Sequence, residues 1–172
     1  MSSERAQATE APRIRTAVKA DVSVLTRLLM DSFAFYGQAI PPASKTREAL
    51  ERHAFCEQPL CEVLLAEFEG EAVAFAIFGP VFWTGDLSPA IFLEELYVNK
   101  RARNRGIGRM LMAHLASVAM ERGCKRIIWN VDRPNSRGIA FYERLPGAFR
   151  LNKHAYAISG ESLADLAALA SG

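Results

Sequence analysis

Gly106 and Gly108 open a helical run and are surrounded by Arg101, Arg103, Arg105 and Arg109. The first four N–H groups of a helix have no partner inside it. Through the helix dipole they carry about half a positive charge. Glycine lets a bulky anion approach that backbone, and arginines add charge-assisted hydrogen bonds. Arg103-Asn104-Arg105-Gly106-Ile107-Gly108-Arg109 therefore describes a cradle for a diphosphate. A dinucleotide fingerprint needs a third glycine three residues after the second, where Leu111 stands, and a P-loop needs Lys-Ser or Lys-Thr, where Arg109-Met110 follow. Taken alone, the same turn could be a solvated loop.

The elements that must position this turn follow from periodicity. Arg13–Val18 reads as a strand, and an apolar stripe after Asp21 (Val22, Leu25, Leu28, Leu29) as a helix to about Phe35. Gly37 and Pro41-Pro42 break the chain, and Ser44 is a candidate cap for a helix to about Phe55. Glu62–Phe68, a Glu69-Gly70 turn and Ala72–Phe78 form a hairpin pattern. Gly79–Pro89, with two prolines, two glycines and Trp83, contains a loop, and Ile91–Val98 reads as the next strand. Gly106–Arg122 is an amphipathic helix stopped by Gly123. Lys125–Val131 is a strand, Ser136–Arg144 a short helix, Phe149–Ile158 one or two last strands, and Leu163, Leu166 and Leu169 mark a terminal helix. This order predicts one mixed α/β sheet with helices on its faces. Residues 1–11 read as a flexible N-terminal tail and 12–172 as one domain.

Arg103-Asn104-Arg105-Gly106-Ile107-Gly108 resembles the (Gln/Arg)-x-x-Gly-x-(Gly/Ala) acetyl-CoA signature of the GNAT superfamily of N-acetyltransferases. Leu93-Glu94-Glu95-Leu96-Tyr97-Val98 looks like that family's fourth strand. Asn135 followed by Phe141-Tyr142-Glu143 looks like its second motif. Order and spacing match for all three, and the resemblance spans roughly residues 12–158. Within the superfamily the chain most resembles the diamine (spermidine/spermine-type) acetyltransferases, through Trp83-x-Gly85 ahead of Leu93-Glu94-Glu95 and through Val118-Ala119-Met120.

The resemblance implies a mostly antiparallel mixed sheet of six to seven strands, splayed between the fourth and fifth, with helices on both faces. It also implies direct acetyl transfer from acetyl-CoA to a primary amine in a ternary complex, with no metal, and a homodimer. An aliphatic amine has a pKa near 10.4, so a carboxylate that accepts its proton assists attack. Glu94 and Glu95 are the candidates, and strand alternation sends them to opposite faces. The resemblance favours Glu94 as base and leaves Glu95 to hold the amine's charge; either could instead be structural. Tyr142 takes the place of the family's acid, which protonates the departing thiolate. Leu96 and Val98 match the strand positions whose backbone groups bind the pantetheine arm and the developing oxyanion. Asn135 would bond that arm or cap a helix. Tyr36 and Trp83 could line the acceptor pocket or belong to the core.

Phe35–Pro42 holds no carboxylate, Asp86 follows Trp83-x-Gly85, and Asn152–Tyr156 lacks the family's Trp. These departures point to a smaller amine or amino-acid derivative as readily as to a long polyamine. The alternatives within the resemblance are a protein or peptide N-acetyltransferase and a non-catalytic CoA-binding protein.

Composition narrows the rest. The 172 residues are 50% hydrophobic and 23% charged, which suits a packed domain. A net charge of +2 gives no case for a nucleic-acid or membrane partner. The apolar runs are shorter than the roughly 20 residues a spanning helix needs. The polar stretch Met1–Ala11 lacks a signal-peptide core, which predicts a cytoplasmic protein. Cys56, Cys61 and Cys124 form no CxxC pair, and no His stands at metal-ligand spacing, so no metal is expected.

Overall fold

A computed structural model describes residues 11–171. Apart from Ala11, the expected tail lies outside the described residues. The chain divides into two compact units, residues 1–132 and 133–172, which are taken separately.

The first unit holds a five-stranded sheet in sequential order: β1 Arg13–Thr16, β2 Glu62–Phe68, β3 Glu71–Trp83, β4 Ser88–Val98 and β5 Ile127–Trp129. The first three pairings are antiparallel and β4–β5 is parallel. The helices are α1 Val22–Phe35, α2 Ala43–His53 and α3 Ile107–Glu121. Val63, Leu65, Phe75 and Tyr97 point to one face and pack with Leu25, Leu28 and Leu29 of α1 and Leu50 of α2. Leu64, Ala66, Ala74 and Ala76 alternate to the other face and are equally buried. That second face belongs to α3, whose capping Arg122 pairs with Glu62 and stacks on Phe78. Helices thus cover both faces. Each fully buried Leu or Phe contributes about 1.5–3 kcal/mol, so these two layers fix the sheet between the helices.

The second unit holds α4 Ser136–Tyr142 and α5 Glu161–Ala168. Phe149–Ile158 forms no strand among the described residues, so the sheet has five strands rather than six to seven. The segment is broken by Asn152-Lys153-His154, and its own unit offers no strand to pair with.

The loop expected within Gly79–Pro89 is the turn at residues 84–87, and the strands on either side of it run further than expected, β3 through Pro80 to Trp83 and β4 from Ser88. Beyond Phe78 the β2 strand no longer flanks β3, and such an edge tolerates a proline. The cap of α2 is Pro42 rather than Ser44, with no side-chain cap bond. No described helix is long and apolar enough to cross a membrane.

Candidate functional site

The two carboxylates sit at an irregularity in β4. Ile77 pairs with Glu95 and Phe78 with Leu93, which leaves Glu94 as an extra residue, a β-bulge. Its consequence is a change of face. Leu93 lies opposite Phe78 on the α3 side, whereas Glu95 and Tyr97 lie opposite Ile77 and Phe75 on the α1 side. In a regular strand Leu93, Glu95 and Tyr97 would share one face. The bulge therefore keeps both apolar residues buried and delivers Glu95 beneath α1. Glu94 is exposed.

Glu95 is half-buried and accepts a hydrogen bond from the Ser32 hydroxyl of α1. Burial pushes its carboxyl above the ordinary carboxylate range; the Ser32 hydroxyl opposes that push, and the neighbouring Glu94 charge adds to it. Tyr36, at the end of α1, packs edge-on against Phe35 with centroids 5.0 Å apart. Burial and then the Glu95 charge raise its phenol. Tyr36 and Glu95 are thus brought together. Trp83 is not: it pairs with Ser88 at the far end of the sheet, about 20 Å from the Glu95 position at about 3.3 Å per residue. There Trp83 lies beneath the Arg126 guanidinium, 4.7 Å from its ring centroid, and Arg126 pairs with Asp86.

The backbone past the bulge turns polar groups away from β3. Asn99 N–H donates to Val73 O at 2.8 Å, so Val98 and Ala74 face each other as a non-hydrogen-bonded pair, and Leu96 and Ala76 do likewise. The N–H and C=O groups of Leu96 and Val98 accordingly point away from β3, toward the edge that β5 occupies. The β5 strand pairs only with Ile91–Leu93 and ends at Trp129, so β4 runs on past it to Val98.

The glycine turn lies in the same unit. Asn104 and Gly106 both adopt left-handed conformations, φ 63° and 77°, and Gly106 is the N-cap of α3. The first helical bond is Met110 N–H to Gly106 O at 3.0 Å, which leaves the N–H groups of Ile107, Gly108 and Arg109 ahead of the ladder. The arginines divide by role. Arg103 turns inward: its Nε donates to Val98 O at 2.8 Å, and its guanidinium lies 3.9 Å from the Phe35 centroid. Arg101 pairs with Glu71, and Arg105 stacks over Phe68 at 4.9 Å. Arg109 is exposed on the first turn of α3. A strand edge with outward amides, next to a helix start rich in glycine and arginine, fits an amide-bearing arm that ends in a diphosphate.

In the second unit, Asn135 is the N-cap of α4, and its Oδ1 accepts from Gly138 N–H at 2.8 Å. The cap depends on Gly138, because an added Cβ would lie 2.6 Å from Asn135 Nδ2. Tyr142 closes the same helix.

The sequence reading missed Ser32, Phe35, Gly138 and the bulge. Asn135-x-x-Gly138, a cap followed by the N3 residue whose N–H donates to it, was the available signal for Gly138. Leu93-x-x-x-Tyr97 signalled the bulge only if both residues were known to be buried on different faces. Ser32 gave no signal beyond a polar residue on an apolar stripe. Among the described residues no group of three or more His, Cys, Asp or Glu could hold a metal ion.

A model of the acetyltransferase (GNAT) family matches residues 25–147. The thialysine N-epsilon-acetyltransferase of Sus scrofa is 29% identical over 168 residues, covering 90% of this chain and 96% of that one. The spermine/spermidine N(1)-acetyltransferase of Bacillus subtilis is 29% identical over 80 residues, 45% of this chain and 53% of that one. An integron cassette protein from the mobile metagenome of V. cholerae superposes with a TM-score of 0.82 at 24% identity, over 92% of this chain and 98% of that one, a likeness of fold.

Proposed function

The chain belongs to the acetyltransferase (GNAT) family, and on that premise we propose that it transfers acetyl from acetyl-CoA to the primary amine of a small molecule. The observation that carries this proposal is the backbone edge at Leu96 and Val98, which runs past the end of β5 beside the glycine-rich start of α3. Residues 12–172 act in this proposal as one N-acetyltransferase domain.

When bound, acetyl-CoA supplies an acyl thioester. The Leu96 and Val98 backbone groups hold its amide arm, and the N–H groups of Ile107, Gly108 and Arg109 hold its diphosphate. Arg109 and Arg105 add charge, while Arg103 and Asn104 shape the turn. Asn135 orders the start of α4, which carries Tyr142.

At neutral pH an aliphatic amine is protonated, and freeing its lone pair costs roughly 4–5 kcal/mol. Glu94, exposed in the bulge, accepts that proton through water, and Glu95 holds the positive charge of the incoming amine. Tyr142 holds the proton that the departing sulfur takes. Tyr36 forms an aromatic wall beside Glu95. A relative named for the ε-nitrogen of thialysine supports a small amine at the end of a side chain as acceptor. A homodimer completes the proposal, since Val81, Phe82 and Leu87 leave an exposed apolar tip on the β3–β4 hairpin for a second copy to cover.

The test is thiol release from acetyl-CoA by the pure protein against a panel of lysine analogues, amino acids, polyamines and peptides. Turnover with small primary amines and not with peptides is expected. A protein that does not bind coenzyme A in a calorimetric titration removes the proposal.

A further inference from the structure

Ser32 is fully buried on α1, whose other buried residues are Val22, Leu25, Thr26, Leu28 and Leu29. A helical Ser or Thr ordinarily satisfies itself on the carbonyl four residues back. Thr26 on the same helix does so, with Oγ1 2.7 Å from Val22 O. Ser32 instead donates across to Oε1 of Glu95 on β4. A hydroxyl at an apolar helix position is one departure from the packing rule. The bulge at Glu94, which turns Glu95 toward α1, is a second, independent one. Both converge on one carboxylate, and such local violations concentrate at functional sites.

We propose that Ser32 is a positioning residue that holds the Glu95 carboxylate in place as the anionic counter-charge for the acceptor's ammonium. This rests on the amine-acetyltransferase reading above. With one oxygen of Glu95 occupied by Ser32, the other remains for the amine. A hydrogen bond from a buried hydroxyl favours the charged form of a carboxylate. It offsets part of the penalty of burial while fixing the rotamer. The other ionisable groups around Glu95 are Tyr36 from α1 and Glu94 and Tyr97 from β4; Asp31 and Arg103 act on Tyr97, and Arg103 and Asp132 on Tyr36. Arg103, the one cation among them, is tied to Val98 O and the Phe35 ring. Among the described residues no ion pair to Glu95 is seen, and its counter-charge is left for the substrate.

The experiment is a double-mutant cycle of Ser32→Ala and Glu95→Gln, read by thiol release with the best amine of the panel across a range of pH. Ser32→Ala is expected to raise the amine KM by about tenfold or more, the worth of a hydrogen bond to a charged group. It is expected to leave kcat and the acetyl-CoA KM near wild type, and to move the acid limb of kcat/KM to higher pH. In the Glu95→Gln background Ser32→Ala is expected to add nothing. Equal effects in both backgrounds, no effect, or a joint loss of kcat and both KM values overturns the proposal. If the Ala variant does not fold, Ser32→Cys, similar in volume with a weak donor, takes its place. An active wild type with an unaltered Ser32→Ala overturns this inference alone. A wild type that binds coenzyme A yet releases no thiol with any amine removes the acetyltransferase reading and this inference with it.

Discussion

Arg103 donates its Nε–H to the carbonyl of Val98, 2.8 Å away, so the turn that opens α3 is tied to the last residue of β4. The bond joins the two halves of the proposed acetyl-CoA site, and the Phe35 ring beneath the guanidinium extends the tie to α1. Arg103→Ala should therefore cost about 1.5–3 kcal/mol of stability, the range for a hydrogen bond to a charged group, and weaken coenzyme A binding as well. Arg109→Ala, exposed on the first turn, should weaken coenzyme A binding without lowering Tm. Thermal melts and calorimetric titrations of both variants check the contrast. An Arg103→Ala protein with wild-type Tm would show that the tie carries no load.

Gly106 begins α3 at φ 77°, with open space around the Cβ that a substitution would add. Only backbone strain opposes an alanine there. Left-handed geometry costs an L-residue about 1–2 kcal/mol, so Gly106→Ala should lower stability by about that amount. If the chain relieves the strain by rotating out of the left-handed region, the amides of Ile107 and Gly108 turn with it, and coenzyme A affinity falls further than stability does. Crystallography of the variant, or its titration, separates the two responses.

Much of the fold that carries the candidate site was legible because its signals are local. The Gly106-x-Gly108 spacing, the Glu69-Gly70 turn and the 3.6-residue stripe of α3 each depend on neighbours within a few residues. What stayed hidden depends on distant partners. The run of β3 past Phe78 stayed hidden because the tolerance for Pro80 comes from β2 ending opposite Phe78. Which of Glu94 and Glu95 lies beneath α1 stayed hidden because the bulge is set by which of Leu93 and Tyr97 faces which helix. The tie of Arg103 to Val98 and Phe35 stayed hidden because they are its partners only in three dimensions. Phe149–Ile158 looked like strands because a pattern does not say whether a neighbour exists to pair with.

Tyr142→Phe removes one hydroxyl and leaves the ring. If Tyr142 supplies the proton to the leaving sulfur, kcat should fall by about 10²–10⁴, the usual worth of a general acid, with little change in either KM or in Tm. Thiol-release kinetics with a small amine reads this directly. Turnover within a few-fold of wild type across all active amines would reassign the acid.

Glu95 carries a cost to the fold. Its carboxyl is raised above the ordinary value of 4.5, chiefly by burial. The folded state therefore favours the protonated form. Stability is greatest below the unfolded pKa and declines as pH rises from that value through the folded one. Glu95→Gln removes the decline, so the variant should melt no lower than wild type at neutral pH; a gain of about 1 kcal/mol would appear as about 2–4 °C in Tm. The same variant should lose affinity for the amine. A drop in Tm at neutral pH would mean that the charge supports the fold rather than the substrate.

Asp21 shows the opposite sign. It is buried ahead of α1, bonded by Arg15 at 2.7 and 2.8 Å and by the Val18 N–H at 2.8 Å. The Arg15 guanidinium, helped by the Val18 amide, holds its carboxyl below the ordinary value of 3.8 against the effect of burial. Stability from this carboxylate is fully present above the unfolded value and is lost as pH falls through the lower folded value. Asp21→Asn should thus cost about 1–3 kcal/mol at neutral pH. The gap to wild type should narrow on acidification, because the wild-type carboxylate then becomes neutral too. Urea unfolding of both proteins at neutral pH and at a pH below the ordinary aspartate value measures the two gaps. A difference that stays constant with pH would show that shape, and not charge, is what Asp21 contributes to the junction of β1 and α1.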